Sequence, residues 1–264
     1  MSTREALNSD NISSPTAGAP TTTSPKALAR TAGVLYLLVG IFGGFVQGFV
    51  YPKVYVAGDA ATTAGNVLAN AGLVRSGVVA DLFQATLWVF VAMTLYRLLK
   101  HVNPSVAGAM VVLAALGTGI TCLNAGFEFE ALRVATGAVS VTAFGSGGAN
   151  ALVLLLVDAH HYGLFILQIF SGLWLAPLGY LAYKSGWFPK VLGVVLLVSS
   201  GAYLVDLLLA FLVPELGAQI HGFLSIPPAI AEPWMVGYLL VIAVKGVKTA
   251  KPAKRILAAA TTPA

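Results

Sequence analysis

The sequence predicts an all-α integral membrane protein, a bundle of six transmembrane helices, and two observations carry this prediction. First, 58% of the 264 residues are hydrophobic and only 9% are charged, against roughly a quarter charged in ordinary soluble domains. So few charged side chains cannot cover the surface of a soluble protein of this length. Second, the apolar residues gather into six long stretches, each about the 20 residues that a helix needs to cross a bilayer.

The six predicted spans follow one another along the chain. Their approximate bounds are residues 28–50, 74–98, 105–125, 160–182, 191–213 and 228–247. The apolar run 151–157 leaves the start of the fourth span open, because it would extend that span toward the N-terminus. Apolar runs without alternation indicate helices, since a barrel strand in lipid alternates apolar and polar side chains.

The segments outside the membrane domain, 27–247, differ from it in composition. Residues 1–26 are rich in Ser, Thr and Pro and predict a disordered N-terminal tail. Residues 248–264 predict a basic C-terminal tail. Of the 15 Lys and Arg residues, only Lys53, Arg75 and Arg133 fall on the side opposite the tails. Because basic residues collect in cytoplasmic loops, both termini are expected in the cytoplasm, and the protein is expected in the cell (plasma or inner) membrane.

Three connecting segments are predicted away from the tails. Asp59 fits a helix N-cap, and the Ala-rich, weakly amphipathic residues after it predict a short interfacial helix. Residues 126–150 contain Gly145-Ser146-Gly147-Gly148 and predict a mobile loop. Residues 214–225 are also expected to form a loop.

The lone Cys122 lies in an apolar stretch and is expected to be a buried small hydrophobic residue.

Three glycines mark the first span as a packing surface. Gly40, Gly44 and Gly48 lie four residues apart, so they share one helix face and allow another helix to approach closely. This face predicts helix–helix contact and is the candidate surface for a homo-oligomer.

The formal net charge of +5 does not indicate that the protein binds nucleic acid, because no basic run is interleaved with aromatic residues.

Polar side chains recur at helical spacing on several spans, which places each set on one helix face. The sets are Asp81, Gln84 and Trp88; Thr121, Asn124 and Glu128; Asp158, His161, Phe165 and Gln168; and Ser199, Tyr203 and Asp206. Of the ten acidic residues, only Glu5 and Asp10 fall on the tail side. Ionisable residues within membranes are costly and indicate functional sites. We therefore expect these faces to converge on a pocket that opens to the extracytoplasmic side.

Several local strings resemble the bacterial multi-span membrane family catalogued as domain of unknown function 4386. They are Asp59-Ala-Ala-Thr-Thr-Ala-Gly-Asn-Val-Leu, Asp158-Ala-His160-His-Tyr162-Gly163 and Leu178-Gly-Tyr-Leu-Ala-Tyr-Lys-Ser-Gly-Trp-Phe-Pro-Lys190. The resemblance implies a helical membrane protein without assigned chemistry, and its polar marks match Asp81, Asp158, His160 and Asp206. It favours His160 as the partner of Asp158, whereas helical spacing favours His161. Both alternatives stay open at this point.

The leading hypothesis is a non-enzymatic, transporter- or sensor-like protein whose pocket binds a small molecule or ion, with protonation of Asp81 or Asp206 coupled to occupancy. The candidate binding residues are Asp81, Asp158, His160, His161, Asp206, Glu232, Arg75 and Tyr203. No cofactor is expected. Nucleotide-binding glycine motifs and a nucleophile elbow are absent from the sequence, which argues against an ATP-driven pump and a serine hydrolase.

Two alternatives belong to other classes of function. One is an intramembrane metal-dependent lipid hydrolase, with Asp158, His160 or His161, and Asp206 as ligands of a metal that activates water. The other is a structural scaffold that pairs with other membrane proteins through the surface of Gly40, Gly44 and Gly48.

Overall fold

The computed structural model describes residues 24–245 of the chain. The predicted tails, 1–26 and 248–264, lie outside this range except for 24–26, where the Ser24 hydroxyl caps the first helix and Pro25 begins it. Within the described residues all regular secondary structure is helical, and there is no strand. The predicted all-α class is therefore confirmed.

Eight α-helices make up the described chain. They are α1 (Pro25–Val54), α2 (Ala60–Ala69), α3 (Ala71–Leu99), α4 (Pro104–Ala135), α5 (Gly145–Ser185), α6 (Lys190–Leu212), α7 (Pro214–Leu224) and α8 (Ile226–Lys245). Six segments are long and apolar enough to cross a membrane: α1, α3, α4, α5, α6, and α7 together with α8. The chain is a multi-pass helical membrane protein, as the sequence predicts.

The spanning helices form a closed bundle in chain order. Each of α1, α3, α4, α5 and α6 packs against the next spanning helix, and α8 returns to pack against α1. The short helix α2 packs against the end of α4 and the beginning of α5. Large apolar side chains that this packing leaves exposed, such as Leu37, Phe90 and Leu155, cover the outside of the bundle, where lipid would surround them.

Two hydrophobic clusters stabilise the bundle, and a polar layer separates them. On α3 the smaller cluster ends at Val74 and the larger begins at Trp88. On α4 the interval between the clusters runs from Ala114 to Ala131, and on α5 it runs between residues 157 and 174. These three intervals carry five of the buried polar side chains of the described residues, namely Asp81, Thr121, Asn124, Glu128 and His160.

Three predicted boundaries are wrong. The predicted loop 126–150 is largely helical, because α4 continues to Ala135 and α5 already begins at Gly145. The start of the fourth span at residue 160 is wrong, and the alternative left open, an extension through 151–157, agrees with α5. The predicted loop 214–225 forms α7 and the turn that follows it. The extra turns of α4 and α5 are stabilised because α2 buries Val134 and Val153 with them in the smaller cluster.

Asp59 caps α2, as predicted. Its carboxylate accepts hydrogen bonds from the backbone N–H of Thr62 at 2.9 Å and from the Thr62 hydroxyl at 2.7 Å. These two donors favour the ionised form, so they lower the pKa of Asp59. The helix is present, and its position at a membrane interface stays a prediction.

Two expectations for side-chain packing are corrected. Gly40, Gly44 and Gly48 are exposed, and a Cβ at each would meet no described atom within 4 Å. The close approaches of α1 within the bundle are made elsewhere, at Gly33 and Gly43. Cys122 is exposed rather than buried, because its neighbour Thr121 takes the inward face of α4 and turns residue 122 outward.

Candidate functional site

Three ionisable side chains from consecutive spanning helices meet inside the bundle. Asp81 comes from α3, Glu128 from α4 and His160 from α5, and they are 5%, 6% and 2% exposed. One ligand atom of each residue, a carboxylate oxygen or a ring nitrogen, lies within 4.8 Å of the others. We call these three residues the acid–histidine cluster.

Two glycines let the helices come close enough to form this cluster. A Cβ on Gly77, one turn before Asp81, would lie 3.6 Å from Oε1 of Glu128 and 3.1 Å from Cγ1 of Val50. A Cβ on Gly163 would overlap the side-chain amide of Asn124. Because both glycines are helical, their role is to leave space for the neighbouring helix rather than to allow an unusual backbone.

The hydrogen bond of His160 fixes which ring nitrogen is free. Its Nδ1 lies 3.1 Å from the backbone carbonyl oxygen of Asn124. A carbonyl only accepts hydrogen bonds, so Nδ1 must carry the proton and donate it. In the neutral ring, Nε2 then presents a lone pair and no hydrogen. A histidine held in this way by a backbone carbonyl is a common arrangement for a metal ligand.

The acid–histidine cluster contains acceptors without donors. Nε2 of His160 and Oε2 of Glu128 are buried and have no hydrogen-bond partner among the described residues. No Lys or Arg nitrogen in this part of the chain lies within 4.0 Å of the Asp81 or Glu128 carboxylate. Buried acceptors and charges are stable only when they are paired. The cluster therefore has the chemistry of a site for a cation.

Comparison with known proteins places the chain in a family. Residues 31–243 match the family described as Domain of unknown function (DUF4386). The chain belongs to the DUF4386 family. This confirms the resemblance seen in the sequence, and the family description assigns no chemistry to its members.

Similarity to individual proteins is short. A 43-residue segment is 49% identical to an uncharacterized protein of Archaeoglobus fulgidus. That segment covers 16% of this chain and 26% of the archaeal protein, so the similarity spans about a quarter of that relative. No solved structure matches the chain.

The two remaining candidates on α5 are not part of the acid–histidine cluster. Asp158 accepts a hydrogen bond from the hydroxyl of Tyr55 at 2.7 Å. His161 shares a hydrogen bond with the Tyr51 hydroxyl, also at 2.7 Å, and its ring stacks on both tyrosine rings. Within the described chain neither histidine bonds to Asp158, because His160 turns toward α3 and α4 while His161 turns toward α1.

A π-helical turn in α1 directs Tyr51 and Tyr55 toward α5. Residues Val46–Val50 form a π-helical turn, in which the N–H of Tyr51 donates to the carbonyl of Val46, five residues earlier. Pro52 follows directly and has no N–H to continue the ladder. Such turns are frequent at functional sites. Here the turn brings Tyr51 and Tyr55 onto the side of α1 that contacts α5.

Asp206 lies in a separate network on α6. Its carboxylate accepts from the Gln168 amide at 3.1 Å and lies 2.9 Å from Nδ1 of His221 on α7. Gln168 and His221 also line a cavity of about 230 Å³, together with Tyr51 and His161. This cavity is therefore bordered by two partners of Asp206, while Asp81 is not among its lining residues.

The last predicted carboxylate, Glu232 on α8, lies between two tyrosines. It accepts from the Tyr36 hydroxyl at 2.9 Å and from the Tyr203 hydroxyl at 3.0 Å.

Arg75 is exposed and lines an apolar groove on the outside of the bundle. Arg133 forms an ion pair with Glu130 at 2.7 Å. Neither arginine lies within 4.0 Å of the Asp81 carboxylate.

Sequence reasoning missed Glu128 as a site residue. The signal was present, because Thr121, Asn124 and Glu128 follow helical spacing and therefore share one face. The predicted third span ended at residue 125, which left Glu128 in a loop. Of the ligands proposed from the sequence for a metal, Asp158, His160, His161 and Asp206, only His160 belongs to the acid–histidine cluster.

Proposed function

We propose that the protein is a metal-binding membrane protein, in which Asp81, Glu128 and His160 hold one divalent cation inside the helical bundle. The observation that carries this proposal is the bare Nε2 of His160, which is buried, fixed as an acceptor by the Asn124 carbonyl, and close to two carboxylates. A doubly charged ion would neutralise both carboxylates and supply the missing partner of each free acceptor.

The donor set favours a transition metal, with zinc as the first choice. One imidazole nitrogen and carboxylate oxygens form a mixed ligand set that suits Zn²⁺. Mg²⁺ and Ca²⁺ prefer ligand sets made only of oxygen. Three protein ligands leave one position of a tetrahedral zinc ion for water or another ligand.

The burial of the three ligands favours binding, transport or sensing of the ion over lipid hydrolysis. None of them is more than 6% exposed, so a lipid ester would need the helices to separate before it reached the ion. The proposed metal binding is expected to weaken as the pH falls, because Nε2 of His160 binds a metal only while the ring is neutral.

Metal content tests the proposal. The protein is purified in detergent without chelators, and elemental analysis is expected to find about one equivalent of zinc per chain. After treatment with a chelator, added Zn²⁺ is expected to raise the thermal unfolding midpoint, because a ligand that binds only the folded state stabilises it. The variants Asp81→Asn, Glu128→Gln and His160→Gln are expected to lose both the metal and this shift.

Two neighbouring carboxylates provide matched controls. Glu130 is two residues from Glu128 on α4 and is paired with Arg133, and Asp158 is two residues from His160 on α5 and bonds Tyr55. Glu130→Gln and Asp158→Asn are expected to keep the metal. A wild-type protein with no bound zinc and no response to added zinc would overturn the proposal, as would equal loss of metal in the control variants.

We also propose that both termini face the cytoplasm of the cell membrane. The support is the distribution of basic residues, which leaves only Lys53, Arg75 and Arg133 on the side of α2. In this orientation the acid–histidine cluster lies nearer the extracytoplasmic surface, because the α4–α5 turn and α2 lie at that end of the bundle.

Self-association is a second proposal, carried by a different observation. Gly40, Gly44 and Gly48 stay exposed on α1, where no described residue of this chain packs against them. A second copy could approach this face closely. Gly44→Leu is expected to abolish crosslinked dimers in membranes if the face is used. Dimers that persist in this variant would exclude the face.

A further inference from the structure

A second cavity lies near the middle of the bundle, apart from the acid–histidine cluster. Its volume is about 140 Å³, which is room for several water molecules or one small organic ion. It is lined by residues of α1, α3, α4, α5, α6 and α8, so each of the six spanning segments contributes to its wall.

The polar side of this cavity is a carboxylate held by two hydroxyl groups. Glu232 accepts one hydrogen bond at each of its oxygens, from Tyr36 and from Tyr203. Acceptance at both oxygens is the pattern of an ionised carboxylate, which has no proton to donate. The two hydroxyl hydrogens are used in these bonds, so both hydroxyl oxygens still have lone pairs for a donor in the cavity.

The other side of the cavity is aromatic. The rings of Trp88, Trp174 and Tyr36 all border it, and they are 8%, 2% and 3% exposed. Trp174 packs edge-to-face with the other two, with ring centroids 5.8 Å from Trp88 and 5.9 Å from Tyr36. Aromatic faces attract a cation that has lost its water, and the attraction is strongest for tryptophan.

No charge of this chain compensates the carboxylate within the described residues. No Lys, Arg or His nitrogen there lies within 4.0 Å of Glu232. Hydroxyl donors alone leave one uncompensated negative charge inside an apolar bundle, which is costly. The other polar side chains that line the cavity, those of Gln84, Thr121 and Ser171, are neutral. Glu232 therefore supplies a single negative charge, which one singly charged cation balances.

We propose that this cavity binds a small organic ammonium ion, with Glu232 as the counter-ion and the Trp88 and Trp174 rings around the apolar part of the ligand. The ammonium group fits the polar side because its N–H donors match the carboxylate and the hydroxyl lone pairs. The proposal does not depend on the metal site, since none of its residues belongs to the acid–histidine cluster.

A pair of compounds with the same shape and different charge tests the proposal. Thermal unfolding of the purified protein is followed while tert-butylammonium chloride or tert-butanol is added at constant ionic strength. The ammonium ion is expected to raise the unfolding midpoint in a saturable way and to change the tryptophan fluorescence, because two tryptophans line the cavity. The alcohol is expected to do neither.

Substitutions at the two sites separate this proposal from the metal site. Glu232→Gln keeps the shape of the side chain and is expected to weaken ammonium binding at least tenfold while keeping bound zinc. Tyr203→Phe removes one hydroxyl and is the milder second variant, expected to weaken binding less. Glu128→Gln is expected to lose zinc and keep the ammonium response.

Three results would overturn the ammonium site. Equal stabilisation by tert-butanol would mean that the cavity only accepts apolar volume. The absence of any response to the ammonium ion in the wild-type protein would mean that the cavity holds water alone. An unchanged response in both Glu232→Gln and Tyr203→Phe would place the binding elsewhere.

Discussion

At the scale of single residues, unpaired acceptors define the candidate site. Nε2 of His160 and Oε2 of Glu128 find no donor in the described chain, although most buried polar atoms in proteins are paired. Asp158, Asp206 and Glu232, by contrast, each accept hydrogen bonds from neighbouring side chains. A buried carboxylate alone therefore does not mark the candidate site. The site differs from Asp158, Asp206 and Glu232 because it contains acceptors that no donor reaches.

The substitution Glu128→Gln is expected to stabilise the metal-free protein. It removes one of two adjacent negative charges and supplies an amide N–H for Asp81 or for Nε2 of His160. Pairing a buried acceptor that lacks a partner is worth about 1–3 kcal/mol. Chemical unfolding in the presence of a chelator measures this change.

When metal is present, the effect of Glu128→Gln on the stability of the protein is expected to have the opposite sign. With Zn²⁺ added, the wild-type protein gains stability and Glu128→Gln does not, so the wild type becomes the more stable of the two. A Glu128→Gln variant that is less stable than the wild type both with and without chelator would indicate that Glu128 is held by an ordinary structural contact.

At the scale of the helices, local irregularities position the site. The π-helical turn of α1 turns Tyr51 and Tyr55 toward α5. Gly77 lets α3 approach α1 and α4, and Gly163 lets α5 approach α4, because neither glycine has a side chain to hold these helices apart. These features lie in the interval between the two hydrophobic clusters. Without them, ordinary apolar packing would keep the polar side chains of different helices apart.

The substitution Gly163→Ala is expected to damage the site from a neighbouring position. Its Cβ would overlap the Asn124 side chain and displace the α4 backbone that fixes His160. Overpacking of this kind costs about 1–3 kcal/mol, and zinc content is expected to fall with it.

The matched control is Gly126→Ala on α4. Gly126 is exposed, and an added Cβ would meet nothing within 4 Å. In a helix interior this change stabilises by about 0.5–1 kcal/mol, and zinc content is expected to be unchanged. Equal zinc content in Gly163→Ala and Gly126→Ala would contradict the positioning role of the α4–α5 contact.

The sequence predicts the elements better than it predicts their ends. Hydropathy identifies the six spans because the bilayer imposes one length and one composition on all of them. It fails for the last turns of α4 and the first turns of α5, because those turns are stabilised by burial of Val134 and Val153 against α2. That packing is a tertiary contact which no local pattern records, and its omission removed Glu128 from the predicted site.

The candidate residues were predicted in part. Helical spacing correctly separates His160 from Asp158, which lie two residues apart and on opposite sides of α5. Spacing within one helix cannot say which residues of other helices they meet. The partner of His160 depends on the rotation of α3 and α4, and the partner of Asp158 depends on the π-helical turn in α1.

At the scale of the whole molecule, two apolar clusters enclose a polar layer, and the orientation of the bundle decides which side of the membrane that layer is near. The α4–α5 turn at residues 136–141 lies at the same end of the bundle as α2. In the orientation that we propose from the positive-inside distribution, this end faces the outside of the cell. Ions would then reach the acid–histidine cluster more readily from the external side.

Labelling with a membrane-impermeant thiol reagent tests this orientation. In a Cys122→Ala background, Ala138→Cys in the exposed α4–α5 turn is expected to react in intact cells. Ser14→Cys, in the N-terminal segment, is expected to react only after the cells are permeabilised. The opposite pattern would place both termini outside and the cluster nearer the cytoplasm.

The most direct measurement is anomalous X-ray diffraction from crystals of the wild-type protein grown with zinc, recorded on both sides of the zinc absorption edge. The account predicts one strong anomalous peak inside the bundle, about 2.0–2.2 Å from Nε2 of His160 and from carboxylate oxygens of Asp81 and Glu128. A map with no peak at this position would contradict it.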